Sequence, residues 1–150
     1  MMSKLKIMII NGPNLNMVGI REKHIYGNES YEDLKALLVS YGEEKNIEVV
    51  CRQSNHEGDL IDWIQELWFE DYDGAVINPG GYTHTSIALM DAVKAIAPLP
   101  VVEVHLSAVN EREEYRKVSY IREACLACYA GEGFNSYLKA IDRIREFCGK

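Results

Sequence analysis

A glutamate and a histidine two residues apart are the pair best suited to proton transfer in this sequence. Glu103 lies inside an apolar run, and His105 ends that run. Because alternate residues of a strand point to the same face, Glu103 can orient the His105 ring or raise its pKa. An oriented histidine can act as a general acid or base near neutral pH. The alternative is a structural ion pair in the core, which would use the same two residues.

Polar and charged residues follow this pair. Ser107 comes two residues after His105, and the charged segment 111–117 contains Arg112 and Arg116. Arginines four residues apart would share one face of a helix, where they could hold an anionic ligand. The alternative is that an exposed arginine pair only interacts with solvent.

A long loop, residues 11–27, contains an arginine and a tyrosine. A free tyrosine has a pKa of about 10, so it is a poor base at neutral pH, and lowering this pKa by roughly two units takes about 2.7 kcal/mol. A guanidinium about 4 Å away could supply about 4 kcal/mol at an effective dielectric constant of about 20. Arg21 is therefore sufficient in principle to activate Tyr26 as a base. Without further context, a loop tyrosine is more often a packing residue.

Five short apolar runs alternate with helical patterns, and they predict the elements that must position these groups. The alternation is typical of a parallel sheet with helices on both faces, and the commonest small arrangement has the strand order 2-1-3-4-5. We predict one α/β domain over residues 1–150. The predicted strands are 5–10, 47–51, 74–77, 101–104 and 124–129, and apolar residues recur at helical spacing over 31–41, 60–68, 89–96 and 137–147.

The carboxyl ends of the predicted strands carry polar side chains. In such a sheet, ligands bind beyond these ends, where the strand order reverses. His84, in the loop after the third strand, could bind a ligand hydroxyl or could simply hold its loop in shape. No two histidines have metal-ligand spacing, so no metal is expected. The polar residues at the strand ends are Asn11, Asn14, Asn78, His84, His105 and Ser107.

The overall composition limits the classes of partner. The chain has 150 residues, 47% of them hydrophobic, and a net charge of -7. Such a chain can bury one core, and its negative charge argues against nucleic acid or an acidic membrane as partner. No apolar stretch is long enough to span a membrane and no signal-peptide pattern is present, so a cytoplasmic location is expected. The four cysteines are expected to be reduced core thiols.

Phosphate-binding glycine patterns do not follow any predicted strand. A nucleotide or dinucleotide site therefore lacks its usual cradle, and no cofactor is expected. A non-catalytic flavodoxin-like module that binds flavin or another small molecule stays the alternative to an enzyme.

Five segments in order resemble type II 3-dehydroquinate dehydratase. The resemblance runs from about Leu5 to the final helix. It implies a flavodoxin-like fold, a homododecamer built from trimers, and dehydration of 3-dehydroquinate to 3-dehydroshikimate in the shikimate or quinate pathway without metal or Schiff base. The segments are Asn11-Gly-Pro-Asn-Leu-Asn16, Arg21-Glu with Ile25-Tyr-Gly27, Gln53-Ser-Asn-His-Glu-Gly58, Ile77-Asn-Pro-Gly-Gly-Tyr-Thr-His-Thr-Ser86, and Glu103-Val-His-Leu-Ser107 with Arg112-Glu-Glu-Tyr-Arg116.

The resemblance also implies catalytic roles. Tyr26 would remove the proton alpha to the ketone, with Arg21 holding it near its anionic form. Asn14 would position a water that stabilises the enolate. His105, oriented by Glu103, would protonate the departing hydroxyl. Such an enolate needs preorganised donors as well as a base, because the alpha proton is only weakly acidic.

Substrate-binding residues follow from the same resemblance. Asp91 differs from the others, because in the family its counterpart reaches the site of a neighbouring subunit. The implied substrate-binding residues are Asn78, His84, Asp91, Leu106, Ser107, Arg112 and Arg116.

Four positions depart from the family pattern. Lys23 replaces a common proline in the predicted lid, residues 17–27, and Met90 replaces a frequent arginine. Ala108 and Asn110 stand where asparagine and histidine are usual. None of these changes removes a proposed catalytic group.

Overall fold

The computed structural model describes residues 3–20 and 29–150, and within them five parallel strands form one sheet. The strand order is β2-β1-β3-β4-β5, which confirms the predicted order. The strands are Leu5–Asn11 (β1), Ile47–Gln53 (β2), Gly74–Asn78 (β3), Val101–His105 (β4) and Ala127–Ala130 (β5), and the α-helices are Tyr31–Glu44 (α1), Glu57–Phe69 (α2), Ile87–Ala95 (α3) and Asn135–Phe147 (α4).

Alternate residues of the interior strand β1 face opposite layers of helices. Ile7 and Ile9 pack in a core with α1 and α4, whereas Met8 and Ile10 pack in a second core with α2 and α3. All four side chains are fully buried, as expected for a central strand of a sheet covered on both faces. The result is the predicted three-layer, flavodoxin-like α/β architecture.

Serine residues cap two of the helices. Ser30 accepts a hydrogen bond from the Asp33 backbone at 3.1 Å and donates its own backbone N–H to the Asp33 carboxylate at 2.9 Å. Ser86 accepts one from the Leu89 backbone at 2.9 Å. These bonds satisfy backbone donors that have no partner within the helix, and they fix where α1 and α3 begin.

The fifth strand and two helix faces differ from the prediction. Strand β5 begins three residues later than expected, because residues Ile121–Ala124 form a 3-10 helix that buries Ile121 in the second core. Trp68 and Phe147, the last residues of the apolar patterns over 60–68 and 137–147, are 54% and 50% exposed. Trp68 is one residue from the end of α2, and Phe147 is the last residue of α4.

The segment with the two arginines is not one regular helix. It forms two 3-10 turns, Val109–Glu111 and Glu114–Arg116, separated by extended backbone at Arg112. The prediction that Arg112 and Arg116 share a helical face is therefore wrong, because the chain is extended between them.

Close backbone contact joins the carboxyl ends of β1 and β3. The Gly12 N–H donates to the Asn78 carbonyl at 2.8 Å. A Cβ atom at Gly12 would lie 2.5 Å from the Pro79 carbonyl oxygen, so only glycine permits this approach. The contact brings the loop after β1, including Asn14, against the end of β3.

Most of the predicted lid, including Arg21, Lys23 and Tyr26, lies outside the described residues. The prediction of a single domain carrying this lid therefore stays a prediction. Among the described helices, none is both long enough and apolar enough to cross a membrane.

Candidate active site

A cleft opens at the carboxyl ends of β1, β3 and β4. Its volume is about 130 Å³, below the roughly 300–1,000 Å³ of pockets for drug-sized ligands. A small polar ligand suits this volume better than a mononucleotide does. The cleft brings together eight of the predicted site residues: Asn14, Asn78, His84, His105, Leu106, Ser107, Arg112 and Arg116.

The histidine at the end of β4 is held by the glutamate two residues before it. The Nε2 atom of His105 lies 2.5 Å from Oε2 of Glu103, and the two residues are 5% and 0% exposed. An ionised carboxylate only accepts hydrogen bonds, so Nε2 of His105 is the donor. This leaves Nδ1 of His105 as the ring nitrogen free of Glu103. The predicted orientation of His105 by Glu103 agrees with this geometry.

Two residues that the sequence did not reveal also bind this carboxylate. Ser119 donates its hydroxyl to Oε2 of Glu103 at 2.9 Å, and Arg122 donates Nε to Oε1 at 3.2 Å and Nη2 to Oε2 at 3.1 Å. Burial tends to raise the pKa of Glu103, but the hydrogen bonds from His105 and Arg122 outweigh it and lower the pKa to about 2. Glu103 is therefore an anion at neutral pH.

Acid is expected to destabilise the fold through this carboxylate. Its pKa is about 2 in the folded chain against an ordinary 4.5, so its contribution is complete above about pH 4.5 and is lost as the pH falls towards 2. The full contribution is about 3 kcal/mol. Chemical denaturation of Glu103→Gln between pH 7 and pH 3 should show a smaller loss of unfolding free energy than the native chain. Glu48→Gln, at an exposed position, is the control, and equal losses in the Glu103 variant and the native chain would contradict the expectation.

A buried chain of hydrogen bonds fixes the Asn78 amide. The Tyr137 hydroxyl accepts from Nδ2 of Asn78 at 3.0 Å and donates to Oδ1 of Asn11 at 2.5 Å. The Gly80 N–H donates to Oδ1 of Asn78 at 3.2 Å. These contacts set which way the amide faces, and the second hydrogen on Nδ2 stays available to a ligand. Tyr137 was predicted only as a core residue of the last helix.

His84 takes part both in its loop and in the cleft. Its Nδ1 lies 2.7 Å from the Val118 carbonyl oxygen, so Nδ1 must carry the hydrogen. Burial lowers the pKa of His84, the Val118 contact partly offsets this, and the charges of His105 and Arg116 lower the pKa further. In the neutral ring, Nε2 is then an acceptor that suits a ligand hydroxyl. The geometry of His84 is therefore compatible both with binding a ligand hydroxyl and with holding its loop in shape.

Two guanidinium groups make one side of the cleft positive in a chain of net charge -7. Nε of Arg116 lies 2.7 Å from a Glu113 carboxylate oxygen, and Nε of Arg112 lies 4.0 Å from the same oxygen. Asn14, which also lines the cleft, has a left-handed backbone with φ of 69°, and its N–H donates to Oδ1 of Asn55 at 3.0 Å. The two guanidinium groups therefore favour an anionic ligand in this cleft.

Four predicted site residues are not among the described residues that line this cleft. Glu103 is fully buried and reaches the cleft only through its contact with His105. Asp91 is an exposed residue of α3, while Tyr26 and Arg21 are not described. The cleft lining also includes residues without a polar or titratable side chain, which only their place near strand ends could have indicated. These are Pro13, Leu15, Gly80, Gly81 and Val109.

One group among the described residues has the composition of a metal site. Ligand atoms of Glu103, His105 and Cys128 lie within 4.8 Å of one another. However, Arg122 already occupies the position beside Glu103 that a cation would need. Burial also raises the pKa of Cys128 to about 11, so its sulfur is a neutral thiol and a poor ligand. The arrangement favours an ion pair over a metal ion.

Known proteins resemble this chain over nearly its whole length. The family model described as dehydroquinase class II matches residues 5–145. A 3-dehydroquinate dehydratase of Fusobacterium nucleatum is 49% identical over 148 residues, covering 97% of this chain and 100% of that protein. One from Clostridium beijerinckii is 50% identical over 137 residues, covering 91% and 93%.

Solved structures give the same result. The crystal structure of type II dehydroquinase from Butyrivibrio crossotus superimposes with a TM-score of 0.94 at 52% sequence identity, covering 95% of this chain and 98% of that one. Matches of this extent in sequence and in fold show that the chain belongs to the class II dehydroquinase family.

Proposed function

We propose that this protein is a 3-dehydroquinate dehydratase that converts 3-dehydroquinate to 3-dehydroshikimate in the shikimate or quinate pathway. The observation that carries the proposal is the buried contact between His105 and Glu103 at the base of a polar cleft. It supplies an oriented acid beside groups suited to a carboxylate and to hydroxyls. The family membership supports the same reaction.

The proposed reaction begins with proton removal. The Tyr26 phenolate, held near its anionic form by Arg21, takes the proton alpha to the ketone, and the electron pair moves onto the ketone oxygen to give an enolate. A water positioned by Asn14 stabilises the enolate charge. Preorganised donors at such an oxygen lower the barrier, since they need no reorganisation as charge develops.

The second step is loss of water. His105 in its imidazolium form donates a proton to the departing hydroxyl as the enolate collapses and the carbon–oxygen bond breaks. Because Nε2 of His105 is held by Glu103, Nδ1 is the nitrogen assigned to this transfer. Tyr26 is then protonated and His105 is neutral. Before the next cycle, Tyr26 releases its proton to solvent and His105 takes one up.

Substrate binding is assigned to the remaining cleft residues. Asn78, the Leu106 backbone and Ser107 would hold the substrate carboxylate, since they offer neutral donors at the end of the sheet. Nε2 of His84 and the guanidinium of Arg116 would bind ring hydroxyls. Arg112 would lie near the lid.

Assembly is a separate part of the proposal. Asp91 is exposed on α3 and does not line this chain's own cleft, which supports its acting in the site of a neighbouring subunit. A homododecamer built from trimers would place it there. Sedimentation equilibrium tests this assignment, and a stable monomer with full activity would contradict it. The cytoplasmic location stays a prediction.

Adding 3-dehydroquinate to the purified protein tests the function directly. The conjugated product absorbs in the ultraviolet, so a steady rise in absorbance is expected. Treatment with borohydride in the presence of substrate should leave every lysine unmodified, because no Schiff base forms. A yellow chromophore or tight mononucleotide binding without any rise in absorbance would support the flavin-binding alternative and contradict the proposal.

Substituting Tyr137 with phenylalanine is expected to weaken substrate binding. The variant loses the hydroxyl that orients the Asn78 amide, and one lost hydrogen bond of about 1 kcal/mol corresponds to a KM raised roughly fivefold. Because Asn78 binds rather than reacts, kcat should change less than KM. Steady-state kinetics measure both constants.

The matched control is Tyr41→Phe. The Tyr41 hydroxyl donates to Asp142 at 2.6 Å on the protein surface, so this variant also loses one side-chain hydrogen bond but lies away from the cleft. Its KM should equal that of the native chain. A KM that is unchanged in the Tyr137 variant as well would show that the Asn78 orientation does not depend on Tyr137.

A further inference from the structure

An arginine also contacts the Glu103 carboxylate that orients His105. Arg122 lies in the 3-10 helix Ile121–Ala124 and donates Nε to Oε1 of Glu103 at 3.2 Å and Nη2 to Oε2 at 3.1 Å. It does not line the cleft among the described residues. Arg122 therefore affects the site through Glu103 rather than by touching a ligand.

One oxygen of this carboxylate connects Arg122 with the histidine. Oε2 of Glu103 accepts from Nη2 of Arg122 and lies 2.5 Å from Nε2 of His105. When His105 is protonated, one anion lies between two cations. Glu103 attracts the extra proton on the ring, whereas Arg122 repels it, and these opposing effects determine how readily the ring releases a proton.

We propose that Arg122 is a positioning residue that makes His105 a stronger acid by neutralising much of the Glu103 charge. The proposal rests on the acid role assigned to His105 under the proposed function. Without Arg122, the full carboxylate charge would act on the ring. His105 would then hold its proton more tightly and transfer it less readily to a leaving group.

Other groups around the pair do not replace Arg122. Burial raises the pKa of the Cys125 and Cys128 thiols, so both are neutral near pH 7. Burial likewise lowers the pKa of His84, which leaves that ring neutral, and Arg116 is paired with Glu113. In the described part of the chain, the titratable and charged groups that interact electrostatically with Glu103 or His105 are His84, Arg122, Cys125 and Cys128.

Nuclear magnetic resonance titration of the His105 ring tests this proposal in the substrate-free protein. Arg122→Gln should raise the titration midpoint of His105 by about one pH unit, since a neighbouring charge shifts a pKa by roughly 1–3 units and solvent weakens the effect here. The Arg122 side chain is 40% exposed. Arg122→Lys retains the charge, so its midpoint should stay closer to the native value. Comparison with His105→Asn assigns the signal.

The matched control and the kinetics complete the test. Arg143→Gln removes an arginine of α4 whose nearest carboxylate contact is 3.9 Å, and its His105 midpoint should not move. In the Arg122→Gln variant, the pH at which kcat falls on the alkaline side should rise by about the same one unit. KM should change less than about twofold, because Arg122 does not line the cleft. The loss of one hydrogen bond to the substrate would raise KM by more than that.

The outcomes separate this proposal from the proposed function. A folded Arg122→Gln variant with an unchanged His105 midpoint would overturn the proposal, and an equal loss of kcat at every pH would point to a merely structural role. Should that variant not fold, Arg122→Met, which keeps the aliphatic stem, is titrated in the same way. The titration needs no turnover, so a protein without dehydratase activity would overturn the function while the His105 measurement kept its meaning.

Discussion

Substituting His105 with glutamine is expected to lower kcat by about 10²–10⁴-fold, the contribution typical of a positioned general acid. Glutamine can still donate an amide hydrogen to Glu103, so the buried carboxylate keeps a partner, but it cannot release a proton to a leaving hydroxyl. KM should change much less than kcat. The rate of absorbance increase at saturating 3-dehydroquinate measures the effect.

His56→Gln is the control for this substitution. His56 is exposed, stands before α2 and makes no side-chain capping bond, so its variant should retain native kcat. Thermal unfolding of both variants checks that the fold persists. A folded His105 variant with kcat within threefold of the native value would show that another group supplies the proton.

The position of the candidate site at the carboxyl ends of the strands could be predicted from the sequence, because it depends on local patterns. Continuous apolar runs give buried strands, and parallel strands place their carboxyl ends at one edge of the sheet. Asn78 and His105 each end a strand, so both had to lie at this edge. The spacing of Glu103 and His105 then put the two side chains on one face, and the structure has them in contact.

The supporting contacts could not be predicted, because they join residues that are far apart in the sequence. Arg122 lies 19 residues after Glu103, and Tyr137 lies 59 residues after Asn78. No periodicity relates such pairs, and only packing of the 3-10 helix and α4 against the sheet brings them together. The predicted start of β5 was wrong because residues 124–126 are apolar enough to suit either a strand or a buried turn.

Sequence reasoning and family resemblance contribute different parts of the proposed mechanism. The orientation of His105 by Glu103 follows from strand geometry and agrees with the observed contact. The assignment of Tyr26 as base follows from the resemblance, supported by the energetic argument that one arginine can activate a tyrosine. These two assignments therefore need separate experiments.

Substituting Tyr26 with phenylalanine is expected to abolish measurable turnover, with a loss of at least about 10³-fold, within the range for a positioned base. The variant loses only one hydroxyl, so the fold should persist. Tyr41→Phe, at the surface, is the control and should retain native kcat. Turnover like that of the native chain in the Tyr26 variant would contradict its role as base.

Arg21→Ala tests how that base is activated, and it should behave differently from Tyr26→Phe. Without the guanidinium, the pKa of Tyr26 should rise towards the ordinary tyrosine value, and a rise of roughly two units lowers the phenolate fraction at pH 7 about 100-fold. The base itself remains, so kcat should recover as the pH is raised towards 10, whereas Tyr26→Phe should stay inactive at every pH. Arg143→Ala is the control. A loss of kcat in the Arg21 variant that is the same at every pH would mean that Arg21 holds the loop or the substrate and does not lower the pKa of Tyr26.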